Sequence, residues 1–245
     1  MTKRIVCWFS CGAASAVATK LAIAENAGKL LLVIAYTEVM EEHPDNKRFL
    51  AECEKWFGQE IVILGNDYYK RSIYETFKTS AMNIRGAAPC TRLLKKQVRQ
   101  RYEQVGDRQV FGYTAEEQQR YDRFIDANNE VDVWVPLIDK GLGKIDCLAM
   151  LQNAGIELPE MYKLGYLNNN CIGCVKGGMG YWNKIKVDFP EQFDRMAKLE
   201  RLKKQTIFKD RYLDELKPVD GNYPQEPNIE CSIFCHIAEQ DIVAK

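Results

Sequence analysis

The stretch "RIVCWFSCGAASAVATKLAI", residues 4–23, decides how this chain is read. Its opening, "RIVCWF", is short and almost wholly apolar, as a strand covered on both faces must be, while "AASAVATKLAIAENA" has the length and apolar recurrence of a helix. Between them Ser10, Cys11, Gly12, Ala13, Ala14 and Ser15 are all small. A turn needs one glycine for its backbone and no such clearance elsewhere, so the loop points to a ligand lying against it. At a strand-to-helix turn, phosphate oxygens can reach backbone N–H groups and the positive end of the helix. The competing reading is a plain tight turn, since serine, alanine and glycine also occur where a helix packs close to a sheet. A Walker-type lysine is absent, and so are the three spaced glycines of a dinucleotide fingerprint.

Outward from this loop the pattern repeats. "KLLLVIAYT" reads as a strand, "PDNKRFLAECEKWFG" as a helix and "EIVILGND" as a strand; "TRLLKKQVRQRYEQ" is a basic helical stretch, "RQVFGYT" a strand, "AEEQQRYDRF" a charged segment and "DVWVPLID" a further strand. Strand and helix alternating at this spacing predict βαβ units and an α/β fold with a doubly wound, mostly parallel sheet. From Lys140 the texture changes. "KIDCLAMLQNAG" is a helix ended by glycine, "PEMYKLGYLNNNCIGCVKGGMGYW" is loop-rich, "PEQFDRMAKLERLKKQT" is helical, and the tail from Lys217 ends on two cysteines. The expected division is residues 1–139 as the nucleotide-binding α/β domain and 140–245 as a smaller cysteine-bearing helical and loop module packed on its cleft.

The 245 residues are 46% hydrophobic and 28% charged, enough for a packed core. Lysine plus arginine balance aspartate plus glutamate at 34 each, which removes a nucleic-acid binder held by bulk charge and leaves only a local basic patch open. The longest apolar run, "LLLVIA", is far too short to cross a bilayer, so the expectation is a cytoplasmic protein with no membrane partner. Nine cysteines, an odd count, fit a reducing compartment in which some are metal ligands or reactive thiols better than a disulfide framework.

"FSCGAAS" resembles the pyrophosphate-binding loop of the adenine nucleotide alpha-hydrolase superfamily, usually Ser-Gly-Gly-x-Asp-Ser. Ser10, Gly12 and Ser15 match; Cys11 and Ala14 depart, and loss of the acidic residue is shared in kind with phosphoadenylyl-sulfate (PAPS) reductases. The likeness continues in order along the chain. "YTEVMEEHPDNKRFLAEC" is similar to the reductases' segment opening Glu-Thr-x-x-Phe, through Asn46 and Phe49. "GYTAEEQQR" resembles Gly-x-Arg-x-x-Glu-Ser-x-x-Arg through Gly112, Glu116 or Glu117, and Arg120. "WVPLIDKGLGKIDCLAMLQNAGIELPEMYKLGYLNNNCIGC" resembles the Pro-Leu-x-Asp segment, its helix and the Pro-x-Tyr-x-x-Gly-Tyr turn. The resemblance implies an adenine nucleotide, ATP or an adenylyl-sulfate (PAPS or APS), held by Ser10, Cys11, Gly12, Ala13, Ala14, Ser15, Tyr36, Thr37, Gly112, Tyr113 and Arg120, with Mg as a further candidate.

Cys171 and Cys174, in "NNNCIGCVKGG", have the spacing at which two thiolates face one metal or iron–sulfur cluster; zinc, a cluster and a redox dithiol all use it. Cys90 follows a proline and precedes a basic helix, a setting that favours thiolate. In the tail, "ECSIF" resembles the reductases' Glu-Cys-Gly-Leu-His through Glu230 and Cys231, which implies Cys231 as the nucleophile. Cys90, Cys171, Cys174 and a tail cysteine, Cys235, would close a 4Fe-4S site, with zinc as second choice. Cys7, Cys53 and Cys147 are expected as core filler. His43 reads as solvated and His236 as exposed or a ligand. Lys95, Lys96, Arg99 and Arg101 form a basic face at helical spacing which, with Arg85, Arg92, Arg120 and Arg123, would suit a phosphosulfate or a nucleic-acid backbone; the bland reading is solvated surface. Tyr181 and Trp182 read as packing, with base stacking as the alternative.

The resemblance implies two enzymatic versions. In one, Cys231 attacks the sulfur of an adenylyl-sulfate, the adenosine phosphate leaves, and a thiol of the electron donor then takes the Cys231 sulfur as a disulfide, so that sulfite is released. In the other, ATP adenylates an acceptor oxygen, pyrophosphate leaves, and cluster-held or cysteine-held sulfur displaces AMP. A sulfur- or electron-donor protein, a nucleic-acid acceptor and a homodimer are the partners under consideration. The rival from another class is a non-catalytic, zinc-stabilised nucleotide-binding module.

Overall fold

The computed structural model describes residues 4–82, 88–223, 238–240 and 242. Its centre is a sheet of five parallel strands, β1 (Arg4–Phe9), β2 (Leu31–Thr37), β3 (Ile61–Leu64), β4 (Asp107–Val110) and β5 (Asp132–Trp134), in the order β3-β2-β1-β4-β5. Helices flank it, and the chain is an α/β protein. Because β1 lies between β2 and β4, the strand order reverses beside it, and loops leaving the carboxyl ends of β1 and β4 diverge there. Among the described residues no helix is long and apolar enough to cross a membrane.

Strand β1 shows why its sequence looks continuous. Ile5, Cys7 and Phe9 enter the main core. On the alternate positions the Trp8 indole N–H donates to Gln109 Oε1 at 3.1 Å, and the Arg4 guanidinium grips Asp107 with bonds of 2.7 and 2.9 Å. Helix α1 (Ala13–Asn26) packs behind the sheet through Ala13, Ala16, Val17, Leu21 and Ala22, whose small size brings the helix close. Helix α2 (Asn46–Phe57) buries Asn46, Phe49, Cys53 and Phe57, one stripe at helical spacing, and stops at Gly58, whose φ of 76° closes the helix in the left-handed region. Each large apolar side chain so buried contributes roughly 1.5–3 kcal/mol.

After β3 come α3 (Ile73–Thr79), a π-helical turn over Thr91–Lys96 and α4 (Gln97–Tyr102). The charged segment after β4 folds as a helix, α5 (Gln118–Asp126), none of whose residues is fully buried. "DVWVPLID" is a strand only through Trp134. Pro136, which cannot donate to a ladder but fits the first turn of a helix, opens the short α6 (Pro136–Asp139). Helix α7 (Lys144–Asn153) lies against α1, so Cys147, Leu148 and Leu151 belong to the main core. The stretch expected as loop contains α8 (Glu160–Lys163) and runs into α9 (Met179–Asp188), followed by α10 (Pro190–Lys203). A second core joins Ile73, Phe77, Met82 and Leu94 to Met161, Trp182, Phe193 and Met196. The site lies where these two cores meet.

Candidate functional site

The loop leaving β1 is wound tightly on itself. Cys11 adopts φ 59°, a left-handed conformation unusual for a residue with a side chain, and this strain turns the backbone into α1. Its thiol is fully buried and faces the Asn46 carbonyl at 3.6 Å. Burial, then the Glu42 carboxylate, push that thiol well up, so the Cys11 sulfur stays a protonated thiol inside the main core. Ser10 donates from both N–H and hydroxyl to Ser15 Oγ, each at 3.0 Å, and the Ser15 hydroxyl donates to the Gly12 carbonyl at 2.9 Å. The two serines therefore hold the loop closed on itself. Gly112, arriving from the end of β4, packs on this turn so closely that a Cβ there would lie 2.7 Å from the Ser15 amide nitrogen. Strands β1 and β4 thus deliver their loops to one point.

Tyr162 and Lys144 stand over the loop. Ala13 N–H donates to the Tyr162 hydroxyl at 3.3 Å, and a Cβ on Gly12 would touch that same oxygen. Lys144, the first residue of α7, holds its ammonium 5.8 Å from the centre of the Tyr162 ring and donates to Asn168 Oδ1 at 2.6 Å. Gly143 and Glu116 set this position: Lys144 N–H donates to Glu116 Oε1 at 3.1 Å, and a side chain on Gly143 would collide with that carboxylate. Neither Tyr162 nor Lys144 was singled out for the site from the sequence. The cue available was the Pro-x-Tyr-x-x-Gly-Tyr turn itself; Lys144 carried none.

A chain of polar contacts runs from the loop to the cysteines. Asn169 donates to the Cys11 carbonyl at 2.5 Å and to Asn46 Oδ1 at 2.8 Å. Asn46 donates to Glu42, which also accepts from the Tyr36 hydroxyl and pairs with Lys95 at 3.4 Å. Lys95 keeps 44% of its side chain open to water while Glu42 is 4% exposed. Burial opposes the Lys95 charge, yet Glu42 and the sulfurs of Cys171 and Cys174 outweigh it and hold the ammonium above its ordinary range. Lys95 is thus a partly solvated cation beside a buried carboxylate.

Lys95 acts electrostatically on Cys90 and Cys171 and is itself acted on by Cys171 and Cys174. Burial, then the Cys174 sulfur, raise Cys90; burial raises Cys171, with Lys95 pulling down and Glu42, Cys174 and Cys90 pushing up. The three thiols are thus electrostatic neighbours. Their turn is held by the Tyr181 hydroxyl, which accepts from Gly173 N–H at 3.1 Å and Cys174 N–H at 3.0 Å and donates to the Cys171 carbonyl at 3.2 Å, while Gly173 takes φ 75°. Among the described residues no three of His, Cys, Asp and Glu are arranged to hold a metal ion. Cys231, Cys235, His236 and Arg85 lie outside the described residues.

The remaining candidates sort by environment. Thr37 ends β2 beside Leu64 of β3. Arg120, 66% exposed, pairs with Glu117 at 2.5 Å, and its guanidinium lies 5.2 Å from the centre of the Tyr113 ring. The basic face divides, because the π-helical turn shifts the spacing. Lys95 turns to Glu42, whereas Arg99 is buried on Gln109 and Glu103 and packs over Phe111 and Phe124. His43 is half-buried, its ring 5.9 Å from that of Phe189, rather than solvated. Trp182 is fully buried in the second core, and Cys7, Cys53 and Cys147 are core filler with thiols pushed up by burial. Compared with known protein families and with curated proteins, the chain matches none.

Proposed function

We propose that this protein binds an adenine nucleotide on the Ser10–Ser15 loop and carries out sulfur chemistry with thiols facing the same cleft, as in the PAPS-reductase-like branch that its motifs resemble. One observation carries the reading. Asn169, two residues before Cys171, hydrogen-bonds the Cys11 carbonyl, so the small-residue loop and the cysteine turn are parts of one polar network. A loop built only as a tight turn has no need of that link.

In this reading the backbone of the loop and Gly112 receive the phosphates, Tyr113 and Arg120 form the outer rim, and Lys95 supplies positive charge between nucleotide and sulfur. Thiolate is the reactive form, and a cation beside a thiol favours it. Three soft sulfur donors suit zinc or a 4Fe-4S cluster by ligand type, with Cys231 or Cys235 as fourth; a bound cluster would supply electrons or sulfide. Lys95 fits as the charge partner for such a thiolate set.

Anaerobic purification followed by an absorbance spectrum and iron, sulfide and zinc analysis tests the cofactor. A brown, iron-containing protein supports the enzyme; colourless zinc-loaded protein, inert towards both nucleotides, supports the non-catalytic module instead. Product analysis with ATP and with an adenylyl-sulfate then separates the two enzymatic versions. AMP and pyrophosphate from ATP mark sulfur transfer, and sulfite from the adenylyl-sulfate marks reduction.

A further inference from the structure

Around the loop after β1, proton donors outnumber acceptors. The Tyr162 hydroxyl accepts the Ala13 N–H, but among the described residues its own proton meets no acceptor. Burial pushes this phenol up to about 12, which keeps that proton in place at neutral pH. The Lys144 ammonium bonds only the neutral Asn168 amide, and among the described residues no carboxylate lies within ion-pair distance; Glu116 and Glu117 act on it from further away. The Ala14 amide, in the first turn of α1, likewise has no acceptor among the described residues. A phenol O–H and a helix-end amide without acceptors, beside an ammonium whose one hydrogen-bond acceptor among the described residues is neutral, form a set that a multiply charged oxyanion satisfies and that a cation cannot.

The positions agree with that chemistry. Tyr162 oxygen is in hydrogen-bond contact with the turn itself, and Lys144 lies over the Tyr162 ring. Asn168, which holds Lys144, is followed in the chain by Asn169, which holds the Cys11 carbonyl. The loop from β4 closes the other side, with Gly112 on Ser15 and Glu116 on the Lys144 amide. Asn169 adds an independent observation: it is 8% exposed, and among the described residues its side-chain oxygen meets no donor. A ligand rich in acceptors at one end and carrying a donor elsewhere, as a nucleotide does with its phosphates and its sugar hydroxyls, matches these groups.

We propose that Lys144 and the Tyr162 hydroxyl together receive the terminal phosphate oxygens of the ligand, Lys144 filling from α7 the role that a Walker loop gives to a lysine of its own. The assignment rests on the reading of the loop as a nucleotide cradle and adds to it the two side chains that fix the anionic end. Both lie outside the loop, which explains why the loop needs no charged residue.

The test is calorimetric titration of the full chain with inorganic pyrophosphate and with ATP, for the native protein, Lys144→Gln, Lys144→Arg and Tyr162→Phe, with thermal melts to confirm folding. The expected result is pyrophosphate affinity lower by about tenfold or more in Lys144→Gln and in Tyr162→Phe, with recovery in Lys144→Arg and a steeper salt dependence in the native protein than in Lys144→Gln. Native affinity for pyrophosphate in both Lys144→Gln and Tyr162→Phe overturns the assignment. If ATP binds the native protein and those two variants equally, the assignment falls while the nucleotide reading stands. If pyrophosphate binding follows the variants but ATP binds no better than GTP, the assignment stands and the adenine reading falls; a native protein that binds neither ligand sinks both.

Discussion

Single atoms decide whether the loop can form. At Gly112 a methyl group would fall 2.7 Å from Ser15 N and 2.8 Å from Ser15 Cα, both backbone, so neither neighbour can rotate away. Gly112→Ala is expected to destabilise the fold by about 1–3 kcal/mol, read as a lower urea midpoint, and to weaken ATP binding. Tyr181 is the corresponding pivot of the cysteine turn. Tyr181→Phe leaves two N–H groups and a carbonyl without their partner, a cost of about 1–3 kcal/mol in denaturant, and iodoacetamide should reach Cys171 and Cys174 faster than in the native protein. Lys95 acts in the opposite sense. It pulls the Cys171 thiol down, so Lys95→Met raises that thiol further and slows its alkylation near neutral pH, measurable by mass spectrometry of the labelled peptide.

At the scale of elements, the parallel ladder of β1 and β4 is tied at its start by one ion pair. Asp107 is almost fully buried and accepts from two Arg4 nitrogens and from Gln104 N–H. Asp107→Asn leaves the guanidinium without its charge partner, and about 3 kcal/mol of stability is expected to be lost in urea titration. The strands themselves were legible in the sequence. "RIVCWF", "LLVIAYT" and "IVIL" are apolar enough to announce a covered parallel sheet, and Gly58 marks the end of α2. Elsewhere local pattern misled. Pro136 ended an apparent strand by starting a helix, and "GGMGYW" looked like loop because its glycines hide the start of a helix whose Gly180 is needed for the close approach of Asn222. In the site, the small-residue turn and the Cys171/Cys174 spacing were visible as patterns. Asn169, Tyr162 and Lys144 were not, because their roles come from contacts across more than a hundred residues or between α7, the segment after α8 and the loop, which no local spacing encodes.

For the whole molecule, buried thiols set the response to alkaline conditions. Cys7, Cys53 and Cys147 are pushed up by burial from an ordinary value of 9.0. Folded, they stay protonated; unfolded, they ionise. Their contribution is full below pH 9 and is lost as pH rises above it, so the urea midpoint should fall between about pH 9 and 11, with the buried phenols adding in the same direction. The central claim is that one cleft joins the nucleotide loop to the cysteine turn. It is tested most directly by the alkylation rates of Cys90, Cys171 and Cys174 in the metal-free protein, with and without saturating ATP. The account predicts that ATP slows labelling of Cys171 and Cys174 several-fold while unfolding remains the route to Cys7, Cys53 and Cys147. Unchanged rates at Cys171 and Cys174 with ATP demonstrably bound would contradict it.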